Sequence, residues 1–255
     1  MCLILLAYDT HPDYRLILAA NRDEFYERPT APLEFWEDTP DILAGRDLKA
    51  SGTWLGVSRK CRLAAITNYR DPATIMEVAP SRGDLVSGFL KSEIDPQAYL
   101  KNLQKDAARY NGFNLLVGDQ RGLFYYGNHS AGIEKIEPGV HGLSNHLLNT
   151  PWPKVEKGQA ALEALISDDG PIEIEYFFDI LADRSLPSDD SLPDTGVGLE
   201  WERMLSPLFI ESKDYGTRSS SVICINHEDR IDFWERTFRV SDGKVKDHRT
   251  RHLMV

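Results

Sequence analysis

The chain has 255 residues, 42% hydrophobic and 27% charged, with a formal net charge of −11. This composition supports a sizeable core and excludes a disordered chain, and no apolar run approaches the roughly 20 residues that span a bilayer. An acidic balance without a clustered basic face argues against a nucleic-acid partner. The run "CLILLA" is too short for a signal-peptide core and meets no cleavage pattern, so a cytoplasmic location is expected.

Residues 2–9 and 14–21 are β-prone runs joined by the turn "THPD", which predicts a hairpin. The proline- and acid-rich stretch 27–41 reads as a surface excursion. A second hairpin is expected from 52–59 and 62–68 around Lys60 and Cys61. Asp95 as N-cap and Pro96 at the first helical position open a helix that runs to Tyr110, with Tyr99, Leu103 and Ala107 on one face. Residues 113–119 and 123–128 return to strand about the turn "QRG". Residues 154–167 predict a helix; 172–183 predict another, although their β-branched start is also compatible with strand. The stretch 184–198 is rich in proline, serine and acid and reads as loop. Residues 219–226 and 230–240 close the chain as strands, and "KDHRTRH" (246–252) reads as a solvated tail. Strict β–α alternation is absent, so the reading is one α+β layered domain with mainly antiparallel sheet.

No phosphate-binding loop, nucleophile elbow, HExxH or dinucleotide fingerprint is present. The seven histidines show no ligand-pair spacing, and the three cysteines, Cys2, Cys61 and Cys224, form no CxxC pair. No resident metal or cofactor is therefore expected. Cys61 and Cys224 sit in apolar runs, where cysteine behaves as a small hydrophobe. Cys2 has two readings. It is an ordinary strand residue, or, once Met1 is removed, a nucleophile whose own α-amino group is its base. The cluster "NRDE" (Asn21, Arg22, Asp23, Glu24) lies at the far end of the first predicted hairpin, which returns it towards Cys2. A solvated turn is the bland reading of the same residues.

The segments "MCLIL", "NRDEFYERPTAP", "GRDLKASGTWLGVS", "AAITNYRDP", "SRGDLV", "GFNLLVGD", "HGLSNHLLNTPWPKV", "GTRSSSVICI" and "WERTF" resemble, in this order, the NRDE-motif or transport-and-Golgi-organisation family. They cover the chain to about residue 238. One departure is Ser51, where the pattern has glycine. That family is in turn similar to the N-terminal nucleophile hydrolases of the penicillin-acylase and bile-salt-hydrolase branch. The resemblance implies a four-layer αββα sandwich and a catalytic set of Cys2, Arg22, Asp23, Asn68, Asn145 and Arg218, with Asn21 and Glu24 close by. In that chemistry Cys2 attacks a small amide with an apolar acyl group, and Asn68 and Asn145 donate to the oxyanion. The alternative is a non-catalytic binding or trafficking protein on the same fold, with lipid or haem as the transported ligand. "FWEDTP" (35–40) and "NTPWPKV" (149–155) are read either as lining of an apolar pocket or as rigid loops packed on the core.

Overall fold

The computed structural model describes residues 2–167 and 172–255. In chain order the elements are β1 (Cys2–Tyr8), β2 (Tyr14–Phe25), β3 (Thr30–Trp36), β4 (Thr39–Asp47), β5 (Leu55–Ser58), β6 (Arg62–Asn68), α1 (Gly83–Lys91) and α2 (Pro96–Gln104). There follow β7 (Phe113–Asp119), β8 (Gly122–Gly127), β9 (Glu134–Lys135), β10 (Gly139–Leu143), α3 (Pro153–Ile166), α4 (Ile174–Leu181), α5 (Leu199–Leu205), β11 (Tyr215–Asn226), β12 (Ile231–Ser241) and β13 (Lys244–Met254). They form two compact units. One comprises the residues up to Glu27 with Pro138–Ser144 and Leu148–Met254; the other comprises Arg28–Glu137 with Asn145–Leu147.

The first unit is built on an antiparallel sheet of order β10-β1-β2-β11-β12-β13. Alternate residues Leu3, Leu5, Ala7, Ile17 and Ala19 bury one face of this sheet against Val155 and Leu162 of α3 and Phe177, Phe178 and Leu181 of α4. Alternation of this kind drives a half-covered sheet onto a helix layer. Within 172–183, Ile174–Leu181 is helix, not strand, because Phe177, Phe178 and Leu181 supply an apolar helical stripe.

The second unit is an antiparallel sheet of order β3-β4-β5-β6-β7-β8-β9. Ala64, Ile66, Phe113, Leu115 and Val117 cover one face and pack with Leu85, Val86, Phe89 and Leu90 of α1 and Leu100 and Leu103 of α2. Helix α2 begins as the sequence predicts: Pro96 is its first residue and the Asp95 carboxylate accepts from Ala98 N at 2.9 Å. The predicted helix stops early, however, at Gln104, and a short 3-10 turn (Ala107–Arg109) follows.

Two expectations are corrected. Residues 27–41 are not a surface excursion: they hold β3 and the start of β4, anchored by Trp36, whose Nε1 donates to Ala44 O at 3.2 Å. Residues 246–252 are not a free tail but part of β13, an edge strand paired along β12. Its Lys, Arg and His side chains are the kind of charge that protects an exposed sheet edge. Among the described residues no helix is long and apolar enough to cross a membrane.

Candidate functional site

Cys2 and Arg22 are direct cross-strand neighbours in the β1–β2 hairpin. Residues opposed in this way project from the same face. Leu3 and Ala19 face α3 and α4, so by alternation Cys2 and Arg22 stand on the face turned away from those helices. Asn21 and Asp23 leave on the helix side. The four residues of the NRDE stretch are thus divided between two faces: Arg22 and Glu24 share one with Cys2, and Asn21 and Asp23 take the other.

Cys2 is half-buried, and the Ser144 hydroxyl donates to its carbonyl at 3.3 Å. Burial pushes its thiol pKa up, and the Asp23 charge pushes the same way; the Arg22 cation and the Asp23 backbone N–H oppose them. Met1, whose removal the nucleophile reading requires, lies outside the described residues.

Asp23 is 1% exposed. The Thr217 hydroxyl donates to its Oδ1 at 2.7 Å, and that hydroxyl oxygen accepts from Ile210 N at 2.9 Å. Burial raises the Asp23 pKa, while Lys154, the Thr217 hydrogen bond and Arg22 favour the carboxylate. Lys154 is the partner that sequence reasoning missed. It is buried in the first turn of α3, and its Nζ donates to Leu205 O at 2.9 Å. A cation at a helix N-terminus opposes the macrodipole. That conflict was the signal in "PWPKV" that the lysine answers to something other than its helix.

Asn21 plays a structural part. Its Nδ2 donates to Leu181 O and Leu208 O, both at 2.8 Å, and its Oδ1 accepts from the Ser220 hydroxyl at 2.5 Å. It therefore ties β2 to the end of α4 and to β11. Arg218 sits where the β11–β2 register shifts between Thr217 and Ser219, an irregularity that re-aims a side chain. Its Nη1 donates to Phe25 O at 2.9 Å, and burial followed by the neighbouring Arg22 lowers its pKa. Half-buried Glu24 accepts from Phe25 N at 3.0 Å.

In the second unit Asn68 ends β6, and its carbonyl accepts from Asn145 Nδ2 at 3.0 Å. Among the described residues the side-chain amide of Asn68 makes no hydrogen bond within the protein. Asn145 is fully buried, and its carbonyl accepts from Arg70 N at 2.7 Å. The structure therefore groups the six predicted residues as Cys2, Arg22, Asp23 and Arg218 in one unit and Asn68 with Asn145 in the other.

Cys224 is core, its thiol pushed up to about 12 by burial. Cys61 lies in the turn between β5 and β6 at φ 53°, not within a strand. Among the described residues no group of three His, Cys, Asp or Glu side chains could hold a metal. Trp36 and Trp152 belong to the two cores, so both stretches pack on the core, although 35–40 is the β3–β4 hairpin and 153–155 open α3 and neither is wholly a loop.

The arrangement of sheets and helices is similar to that of the C2A mutant of conjugated bile acid hydrolase from Clostridium perfringens. The TM-score is 0.54 over 99% of this chain and 92% of that one, at 10% sequence identity. The fold is thus of the N-terminal-nucleophile-hydrolase type, antiparallel sheets with helices packed on one face. Within that fold class, the model of the family described as Transport and Golgi organisation 2 matches residues 1–240. The Bos taurus Transport and Golgi organization protein 2 homolog is 38% identical over 264 residues, 95% of each chain. The Homo sapiens homolog is 35% identical over 270 residues, 98% of each. The chain belongs to the Transport and Golgi organisation 2 family.

Proposed function

We propose that the chain is a cysteine amidohydrolase for a small amide with an apolar acyl group, with Cys2 as nucleophile once Met1 is removed. The observation that carries this reading is the direct opposition of Cys2 and Arg22 across β1–β2, with buried Asp23 next in sequence. The bile acid hydrolase of similar fold was solved as its C2A mutant, so that enzyme, too, carries a cysteine at its second position.

In the proposed reaction the freed α-amino group of Cys2, with an unperturbed pKa of roughly 7.7–8.0, accepts the thiol proton. The sulfur adds to the amide carbonyl. Arg22, opposite Cys2, supplies positive charge beside the sulfur and the developing oxyanion. Collapse breaks the C–N bond, the ammonium returns its proton to the leaving amine, and a thioester remains. Water then hydrolyses the thioester to a carboxylic acid and restores Cys2. Asp23 is the counter-charge for the ammonium and Arg22, and Lys154 with Thr217 opposes the rise in its pKa that burial causes. While Met1 remains, burial holds the thiol neutral and the base is missing, so the unprocessed chain is inactive.

A second reading, a non-catalytic carrier of lipid or haem, is favoured by that raised thiol pKa and by the transport names of the relatives. Incubation with p-nitroanilides of acids from acetyl to dodecanoyl separates the two. The hydrolase reading predicts release of p-nitroaniline by Met1-free protein and none by Cys2→Ala. Tight binding of the acyl compounds without release, equal in both proteins, supports the carrier and refutes the hydrolase.

A further inference from the structure

The element that the proposed reaction leaves without a role is β13, which ends the six-stranded sheet. Residues 246–250 are exposed, and among the described residues no strand pairs with the outer edge. The hydrogen-bond parity fixes what that edge presents. Asn226 N donates to Arg230 O at 3.1 Å, which points the backbone groups of Cys224, Val222 and Ser220 at β12. Their partners there are Asp232, Trp234 and Arg236, so Phe233, Glu235 and Thr237 bond to β13, at Leu253, Arg251 and Arg249. The N–H and C=O groups of His248, Thr250 and His252 therefore face outwards. The His248 N–H agrees: it donates to Asp247 Oδ1 at 2.8 Å.

The same strand concentrates positive charge on an acidic chain. It carries four Lys or Arg residues, Lys244, Lys246, Arg249 and Arg251, against one carboxylate, Asp247, where the whole chain has a net charge of −11. Arg251 stands opposite buried Glu235, but among the described residues Lys246 and Arg249 enter no ion pair. This surplus repels a second copy of the same strand and attracts an acidic one. Asp247 already displays the contact, because its carboxylate lies on an outward N–H where the acceptor of an incoming strand would lie. The edge offers donors and acceptors together. A peptide backbone matches both, whereas phosphate oxygens only accept and leave the outward carbonyls unmet.

We propose that the outer edge of β13 is a docking site for an extended acidic segment of another protein, which adds to the sheet as a further strand. Main-chain bonds to His248, Thr250 and His252 supply the pairing, and Lys246 and Arg249 select the charge. The acidic remainder of the chain does not prevent this, because its field fades over about 8 Å at physiological ionic strength.

The test uses the full chain and fluorescence anisotropy of a labelled heptapeptide that alternates glutamate and threonine. The peptide is expected to bind, and to bind more weakly as salt rises from about 0.05 to 0.5 M. The same peptide methylated on alternate backbone nitrogens should not bind, nor should one with lysine in place of glutamate. Lys246→Glu/Arg249→Glu should weaken binding by about tenfold. Thr250→Pro removes one outward N–H without touching the β12 ladder, and should weaken it while the melting temperature stays near wild type. If Thr250→Pro does not fold, the charge-reversed variant and the methylated peptide carry the test. Equal binding of the methylated peptide, or no binding of the acidic one, overturns the proposal. Preference for a single-stranded oligonucleotide or phosphatidylserine vesicles over the peptide overturns it in favour of a phosphate partner. Dimerisation of the chain that Thr250→Pro abolishes overturns it in favour of a second copy.

Discussion

Asn21→Ala is the sharpest test of the assignment of Asn21 to structure. The wild-type side chain donates to the Leu181 and Leu208 carbonyls and accepts from the Ser220 hydroxyl, all within buried surroundings. Alanine strands two carbonyls and one hydroxyl. A buried polar group left unsatisfied costs about 1–3 kcal/mol, and carbonyls with a second acceptor direction fall at the low end. The expected loss is about 3–5 kcal/mol, against a total stability of roughly 5–15 kcal/mol for a folded protein. In urea, with a slope of about 2–3 kcal/mol per molar, the midpoint should fall by about 1–2 M. Ser220→Ala removes one of the three interactions and should cost about 1 kcal/mol. An Asn21→Ala midpoint indistinguishable from wild type would refute the reasoning and return Asn21 to the list of reactive groups.

Three further outcomes follow from the geometry. Ser51, where the family pattern has glycine, sits at φ 63°; Ser51→Gly should raise stability by about 0.5–1 kcal/mol in urea titration, and a loss would show that the side chain matters there. A Cβ at Gly158 would lie 2.7 Å from both Leu5 methyl carbons, where α3 meets β1. Gly158→Ala should therefore cost about 1–3 kcal/mol despite its better helix propensity, whereas a gain in melting temperature would contradict that close approach. Burial raises the Asp23 pKa above its unfolded value, so the protonated form is the more stable one. Its stabilisation is complete below the unfolded value near 3.9 and is lost as pH rises through the folded value. Asp23→Asn should accordingly melt higher than wild type at neutral pH and converge with it in acid; a constant offset across pH would rule this out.

The β1–β2 hairpin is legible in the sequence, but its register is not: pairing 2–9 with 14–21 would set Cys2 opposite Asn21, and the structure sets it opposite Arg22, a one-residue shift that exchanges the faces. Strand alternation already separates Asp23 from Arg22, but a cluster of four polar letters hides it. Strands β3 and β4 were obscured by prolines and acids between Leu33, Trp36, Ile42 and Leu43, whose burial is what makes them strands. Strand β13 has most of its residues solvent-exposed and so shows no period of two. Helix α1 begins at a glycine without a side-chain cap, and only the spacing of Leu85, Val86, Phe89 and Leu90 marks it. Asn114 and Thr217 are polar residues inside strands. Their partners Tyr125, His146, Ile210 and Asp23 come from other elements, so no local pattern announces them.

The central claim is that Cys2 becomes an acyl-accepting N-terminus. It is tested most directly by intact and peptide mass measurement of protein isolated from its own cells, acid-quenched after brief exposure to decanoyl p-nitroanilide. The account predicts that Met1 is absent and that the peptide beginning at Cys2 carries one decanoyl group, which Cys2→Ala lacks. Retained Met1 with an unmodified Cys2 would contradict it.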